Sequence, residues 1–358
     1  MKALVLSGGA GTRLRPITHT SAKQLVPVGN KPILEFGLEA IRDAGISDVG
    51  IIVGETHEEI RAHVGDGSRY GIAVTYIHQP LPLGLAHAVL TAEDYLAGDD
   101  FVMYLGDNLV TGGITDFVRE FSQTRPAAQI LLSPVKDPRQ FGVAELDANG
   151  NVVGLVEKPA EPRSDLALVG VYVFSSRVLD AAHAIKPSDR GELEITDAIQ
   201  WLIDEGDSVR SHVIEGWWAA RWKDTGKLHD LLEANRIVLE SYDQRIDGAL
   251  DERSEVQGRV VIEEGAELVN SFVRGPAIIG KGTRLVNTFV GPYTAIYHSC
   301  VITDSEIEHS VVLEECRISN MPRLVDSLIG RKVEVGRSER KPQAYRLMLG
   351  DHSRVGLV

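Results

Sequence analysis

A run close to the N-terminus, Gly8-Gly9-Ala10-Gly11-Thr12-Arg13-Leu14-Arg15-Pro16, sets glycines, a threonine and an arginine directly behind the apolar residues Val5-Leu6. Glycines let a backbone approach a ligand closely, successive N–H groups can converge on phosphate oxygens, and a planar guanidinium suits spread negative charge. The pattern reads as a phosphate cradle. It lacks the Lys-Ser/Thr ending of the Walker loop, and it lacks the G-x-G-x-x-G dinucleotide fingerprint with an acidic residue about 20 positions on. Further along, Ser21-Ala22-Lys23-Gln24-Leu25-Val26-Pro27-Val28 offers a lysine that alone would be a solvated cation and beside the cradle becomes a second charge for a polyanion. In Gln79-Pro80-Leu81-Pro82-Leu83-Gly84-Leu85-Ala86, prolines and a glycine hold a loop ahead of a helix and expose Gln79 and backbone groups to a flat base. Gly106-Asp107-Asn108 closes an apolar run, and Trp222-Lys223-Asp224-Thr225-Gly226 precedes a helix. Either aspartate alone is a turn former; together they present hard oxygens suited to octahedral Mg2+ at the carboxyl end of a sheet. Phe141-Gly142-Val143 gives a backbone approach, and Glu157-Lys158-Pro159 sets a hydroxyl acceptor beside a phosphate cation, with a surface salt bridge as the competing reading.

The order G-G-x-G-T-R-L, then K-x-L-x-P-V and Lys31-Pro32, resembles the sugar-1-phosphate nucleotidylyltransferases, and Lys23-Gln24-Leu25-Val26-Pro27-Val28 looks like their glucose-1-phosphate thymidylyltransferase branch. The likeness covers roughly residues 1 to 240, and the repeats that follow are similar to the long form of deoxysugar and antibiotic pathways. This resemblance implies an α/β fold with a Rossmann-like mixed, mainly parallel sheet and a C-terminal left-handed parallel β-helix. It implies condensation of glucose 1-phosphate with dTTP, or UTP, to a nucleotide-sugar and pyrophosphate, with Mg2+ as cofactor. Carried onto this chain, Arg13, Lys23 and Lys158 are the catalytic cations. Leu6, Gly8, Gly9, Gly11, Thr12, Arg13, Gln24, Gln79, Pro82, Gly84 and Asp107 surround the nucleotide. Asn108, Gly142, Glu157, Lys158, Leu168 and Trp222 hold the sugar phosphate, and Asp107 with Asp224 holds the metal. Glu192 or Glu194 is expected to line or brace the pocket. Short forms carry an acidic residue where Leu83 stands, a departure that bears on base preference.

A sugar-1-phosphate oxygen is anionic near neutral pH, so in-line attack on an α-phosphorus needs no general base, and catalysis reduces to positioning and charge neutralisation. Two other classes compete. A non-catalytic regulatory or scaffolding subunit would show the loss of an aspartate or of the cradle arginine, and Arg13, Lys23, Asp107 and Asp224 are all present. An acyltransferase on the repeats would need a histidine in a constellation, and His298, His309 and His352 have none beside them.

These residues need a scaffold. Apolar runs at Val5-Leu6, Val49 to Val53, Val74 to Ile77 and Phe101 to Leu105 alternate with helical stretches. The first stretch takes Asn30 as N-cap with Pro32 in its first turn; the others run from Glu58 to Val64 and from Leu85 to Tyr95. Such alternation predicts parallel βαβ units. Val143 to Leu146 and Val152 to Val156, joined at Asp147-Ala148-Asn149-Gly150, predict a hairpin in an inserted lobe. Beyond Asp251 apolar residues recur about every six positions, from Val256, Ile262 and Leu268 through Val290, Ile296 and Val301 to Ile329, and predict a parallel β-helix. Gly275 to Gly282 nearly completes a Walker loop but falls on that beat and reads as a corner. The expected domains are 1–240, 251–336 and a cap or tail over 337–358, and deleting the chain after Asp251 is expected to alter assembly more than chemistry. With 358 residues, 43% hydrophobic and 25% charged, wholesale disorder and coiled coil are excluded. A net charge of -14 disfavours nucleic acid and anionic membranes as partners. Cys300 and Cys316 suit a reducing, cytoplasmic setting and a place in the core, and the β-helix suggests a homo-oligomer, trimer or tetramer.

Overall fold

The computed structural model describes residues 1–9, 11, 14–15, 17–19, 22–214 and 222–337. The expected roles of Thr12 and Arg13, and the expected cap or tail beyond residue 337, therefore lie outside the described residues. The chain divides into two compact units, one of Met1–Gly11, Ser21–Val26 and Lys31–Gly226, the other of Thr12–Thr20, Pro27–Asn30 and Lys227–Val358.

In the first unit, β1 (Lys2–Ser7), α1 (Ile33–Asp43), β2 (Asp48–Val53), α2 (His57–Val64), β3 (Ala73–His78), α3 (Leu85–Thr91) and β4 (Phe101–Leu105) alternate as the apolar runs predict. The strands are parallel in the order β3-β2-β1-β4. β1, β2 and β4 are buried along nearly their whole length because helices cover both faces; β3 lies at the edge and is half exposed. Sheet order turns back on itself at β1, so the carboxyl ends of β1 and β4 flank the crevice where ligands of open α/β sheets bind. Beyond it come β5 (Asn108–Val110), α4 (Thr115–Thr124), β6 (Ala128–Pro134), β7 (Gly142–Leu146), β8 (Val152–Glu157), β9 (Leu166–Phe174), α5 (Arg177–Ala184), α6 (Ile195–Asp204), β10 (Val209–Val213) and β11 (Trp222–Asp224). β9 runs antiparallel to β4, and the β7–β8 hairpin extends the sheet from it. β6 pairs antiparallel with the opposite edge of β9. The sheet becomes mixed there.

Two local expectations differ. Asn30 does not cap α1: it sits at φ 60, its Nδ2 donates to the Ile296 carbonyl at 2.8 Å, and Pro32 is the residue flanking the helix. The segment Leu85 to Tyr95 is not one helix but breaks at Ala92 (φ −95, ψ 6). Just before the break the Thr91 hydroxyl donates to the His87 carbonyl at 2.8 Å, a back-bond that bends helices.

In the second unit, α7 (Leu228–Glu240) precedes short strands that stack in three parallel ladders of six, six and five. Inward residues superpose coil on coil: Val256, Val273, Val290 and Ile307 in one ladder, and Ile262, Ile279, Ile296 and Val312 in another. The beat slips in the third, where Ile302 rather than Val301 is buried and pairs with Leu285. Corners fall on residues that tolerate the left-handed region. Asn270 (φ 48), Asn287 (φ 50) and Asp304 (φ 48) form a side-chain ladder with steps of 2.7 and 3.1 Å. The Walker-like stretch contains an ordinary coil strand, Ala277–Ile279, and the thiols of Cys300 and Cys316 are buried in the β-helix core. Among the described residues no helix is long and apolar enough to cross a membrane.

Candidate active site

The carboxyl ends of β1 and β4 come together through backbone contact, Gly106 N–H donating to the Leu6 carbonyl at 3.0 Å. A Cβ at Gly106 would lie 2.7 Å from Ser7 Oγ and 3.0 Å from the Leu6 carbonyl oxygen, so any side chain there would have to displace the approach. The turn after Ala22 folds Gln24 and Leu25 inward and turns Lys23 toward the cradle: its Nζ is 3.5 Å from where a Gly9 Cβ would stand, and it forms an ion pair with Asp107. Burial alone would push the Asp107 carboxyl up, but the Lys23 ammonium and its hydrogen bond outweigh burial and hold it below the ordinary value. Ser7 Oγ and Gln24 Oε1 are buried here without a hydrogen-bond partner among the described residues. A polar atom left so is costly unless something else reaches it.

Asp107 and Asp224 are brought together by the two-stranded ladder of β5 and β11, in which Asp224 stands opposite Asn108. Thr225, fully buried, fixes the arrangement from behind by donating both its N–H (3.2 Å) and its hydroxyl (2.7 Å) to the Asp107 carbonyl. Trp222 Nε1 donates to Asn108 Oδ1 at 2.7 Å, and Gly226 N–H donates to Asp224 Oδ1 at 3.1 Å. Two carboxylates with hard oxygens beside a phosphate cradle are a donor set that fits Mg2+, which keeps waters and phosphate oxygens in its remaining positions. Among the described residues no group of three or more potential metal-ligating side chains occurs, so an all-protein cage is not offered.

On the other flank of β1, Gln79 follows β3 and is nearly buried, its N–H donating to the Val53 carbonyl at 2.9 Å. Its Oε1 lies 3.3 Å from a Cβ placed at Gly8, and its Nε2 lies 2.8 Å from His87 Nδ1. Gly84 closes the loop at φ 110, and a Cβ there would meet the Leu193 carbonyl oxygen at 2.3 Å. Leu193 N–H in turn donates to the Leu83 carbonyl at 2.8 Å, so the loop is pinned through its backbone. Pro82 and the side chains of Leu81 and Leu83 are exposed.

In the lobe, Gly142 pairs with Glu157 across the hairpin, and a Cβ on it would meet Leu168 Cδ1 at 2.5 Å. Lys158 sits at φ 43, and its ammonium lies 3.0 Å from Glu157 Oε1. Glu157 is further held by Arg190 Nη2 (3.3 Å) and the Thr196 hydroxyl (3.3 Å). Of the two glutamates expected to brace this region, Glu194 is buried and takes Arg190 at 2.7 Å, while the more exposed Glu192 reaches the same guanidinium at 3.3 Å. Phe141 and Trp222 meet edge to face at 5.8 Å. Gly170 carries no more signal than an isolated glycine in an apolar strand, yet a Cβ there would lie 2.9 Å from Asn108 Nδ2, and it sits in the β9 bulge. Thr225 and His87 carry no such signal.

Residues 2–241 match the family described as Nucleotidyl transferase. The chain is similar to a glucose-1-phosphate thymidylyltransferase of Streptomyces griseus, with 61% identity over 99% of each chain. A second, of Streptomyces antibioticus, is 59% identical, again over 99% of each. Among solved structures, a putative glucose-1-phosphate thymidylyltransferase from Bacillus anthracis, in complex with a sucrose, superposes with a TM-score of 0.61 at 37% identity, covering 66% of this chain and 94% of that one.

Proposed function

This chain belongs to the nucleotidyl transferase family, among its glucose-1-phosphate thymidylyltransferases, and from that membership we propose that it condenses glucose 1-phosphate with dTTP, giving dTDP-glucose and pyrophosphate. The observation that carries the reading is the Lys23–Asp107 pair beside Gly9, with Asp224 on the adjoining strand and the Glu157–Lys158 pair in the lobe of the same unit. In this reading they supply cations for two phosphates and carboxylates for one metal.

The sugar-phosphate oxygen attacks the α-phosphorus, a P–O bond forms, and the bond to the β-phosphate oxygen breaks with pyrophosphate leaving; no proton moves. In this reading Gly8, Gly9, Gly11 and Thr12 receive the triphosphate and Arg13 receives charge on the leaving pyrophosphate. Lys23 and Lys158 offset repulsion between the two anions, and preorganised cations of this kind are worth most where charge develops. Leu6, Gln24, Gln79, Pro82 and Gly84 enclose the nucleoside, while Asn108, Gly142, Glu157, Leu168 and Trp222 hold the sugar. Asp107 and Asp224 would hold Mg2+, which supplies charge neutralisation on the phosphates. We place the reaction in the cytoplasm and in a homo-oligomer.

Pyrophosphate release measured with glucose 1-phosphate, Mg2+ and each of dTTP, UTP, ATP, CTP and GTP tests this. Strongest turnover is expected with dTTP. Preference for UTP would retain the mechanism and change the base; no release with any triphosphate would overturn the reading in favour of a regulatory subunit.

A further inference from the structure

We propose that His87 is a positioning residue for base selection: its Nδ1 takes one hydrogen of the Gln79 amide and so fixes which edge of that amide faces the nucleobase. The inference rests on the reading above, in which Gln79 helps enclose the nucleoside. A glutamine amide turns about a broad, nearly two-fold torsion and can present either its oxygen or its nitrogen to a ligand. Here the nitrogen end lies 2.8 Å from His87 Nδ1, and the oxygen end lies over Gly8. Gln79 is nearly buried and anchored at its own N–H by the Val53 carbonyl, so the torsion at its tip is the freedom that remains. His87 itself stands on α3, whose start is fixed where Gly84 meets Leu193.

An imidazole whose Nδ1 carries no proton accepts only, and it therefore holds the NH2 toward itself. The edge left for the base is Oε1 as acceptor and the second Nε2 hydrogen as donor. That edge matches the N3–H and adjacent carbonyl shared by thymine and uracil. Cytosine offers an unprotonated N3 to the same oxygen, so lone pair meets lone pair in a nearly buried setting, where an unmatched polar group discriminates strongly. The imidazole thus selects the class of base, pyrimidines bearing N3–H, and does not separate thymine from uracil. Without an acceptor at position 87 the amide could turn over and meet either pyrimidine.

The full chain is assayed as wild type, His87→Leu and His87→Asn with glucose 1-phosphate, Mg2+ and dTTP, with dCTP measured as substrate and as inhibitor. Asparagine carries an acceptor oxygen close to where Nδ1 lies; leucine carries none. His87→Leu is expected to raise KM for dTTP about tenfold, the loss of roughly one hydrogen bond, with a smaller change in kcat and a similar narrowing of the dTTP-over-dCTP preference. His87→Asn is expected to restore most of both. If His87→Leu keeps wild-type KM and preference, or if His87→Asn folds and is impaired as severely as His87→Leu, the proposal is overturned. A wild type that turns over neither dTTP nor UTP overturns the nucleotide site itself, a separate failure visible before any variant is compared.

Discussion

At the scale of single residues, the two aspartates differ in what surrounds them, and this makes their variants separable. Asp107 is paired to Lys23 and held at its carbonyl by Thr225, whereas Asp224 accepts from the Gly226 N–H, a bond that an amide oxygen can keep. Asp107→Asn and Asp224→Asn should each lower Mg2+-dependent turnover by about 10²–10³, the cost of one lost electrostatic partner. Only Asp107→Asn should also lower the melting temperature, because it leaves a poorly solvated lysine without its carboxylate. Full rates in both variants would remove the metal assignment. Lys158 poses the opposite case. Its φ of 43 is a conformation that costs a side chain about 1–2 kcal/mol and costs glycine nothing, so its place is kept at the expense of stability. Lys158→Gly should therefore melt higher than wild type while its KM for glucose 1-phosphate rises at least about tenfold. An unchanged KM would show that the ammonium does not meet the sugar phosphate.

At the scale of elements, α1 is tied to α2 and to the turn after it by one carboxylate. Glu35 accepts from His63 at 2.8 Å, the Tyr70 hydroxyl at 2.9 Å and Arg69 at 3.2 Å. Burial would raise its pKa, but the His63 and Tyr70 hydrogen bonds and the neighbouring positive charge hold it below the ordinary 4.5. The folded state therefore binds fewer protons than the unfolded one in the window that opens downward from that value. Stability from ionised Glu35 is fully present above pH 4.5 and is lost as pH falls through the folded pKa. In urea unfolding, the gap between wild type and Glu35→Gln should narrow as pH drops below 4.5; a gap that stays constant would show that the carboxylate is not linked to folding. The same elements show what a sequence reveals. β2 and β4 follow from unbroken apolar runs, and α2 from its helical stretch, because burial dictates those residue types. The hairpin follows from Asp147 to Gly150, whose turn demands them. β5 and β11 were not legible: they are three residues long, and their pairing joins segments over a hundred positions apart. The site follows the same division. Its glycines and charged residues announce themselves by type, whereas Thr225 and His87 act through neighbours that only the folded chain supplies.

At the scale of the whole molecule, the β-helix does more within its own unit than stack coils. Asn235 of α7 is fully buried, accepts from the Gly29 N–H at 2.9 Å and donates to the Tyr293 carbonyl at 2.9 Å. Tyr242 donates to the Gly29 carbonyl at 2.8 Å, and Asn30 reaches the Ile296 carbonyl. α7 buries Leu239 against Val261, Ile278 and Ala295, and Leu232 against Val311 and Leu313. The coils thus cover α7 and hold the 29–30 turn, which follows closely on Lys23 and Gln24 in the chain. Deleting the chain after Asp251 would bare those apolar residues and remove the Ile296 and Tyr293 carbonyls that Asn30 and Asn235 reach, so a loss of stability is expected beside the change in assembly. The truncated protein should elute as a smaller species and melt well below wild type. Full-length Asn235→Ala should keep the wild-type elution volume yet lose about 2–5 kcal/mol of stability, since it leaves the Gly29 N–H and the Tyr293 carbonyl buried and unpaired. Comparing the two on a sizing column and by thermal melting separates cover from assembly: a truncated chain that elutes as the same oligomer would remove the β-helix from assembly, and an Asn235→Ala variant of undiminished stability would remove it from support of the 29–30 turn.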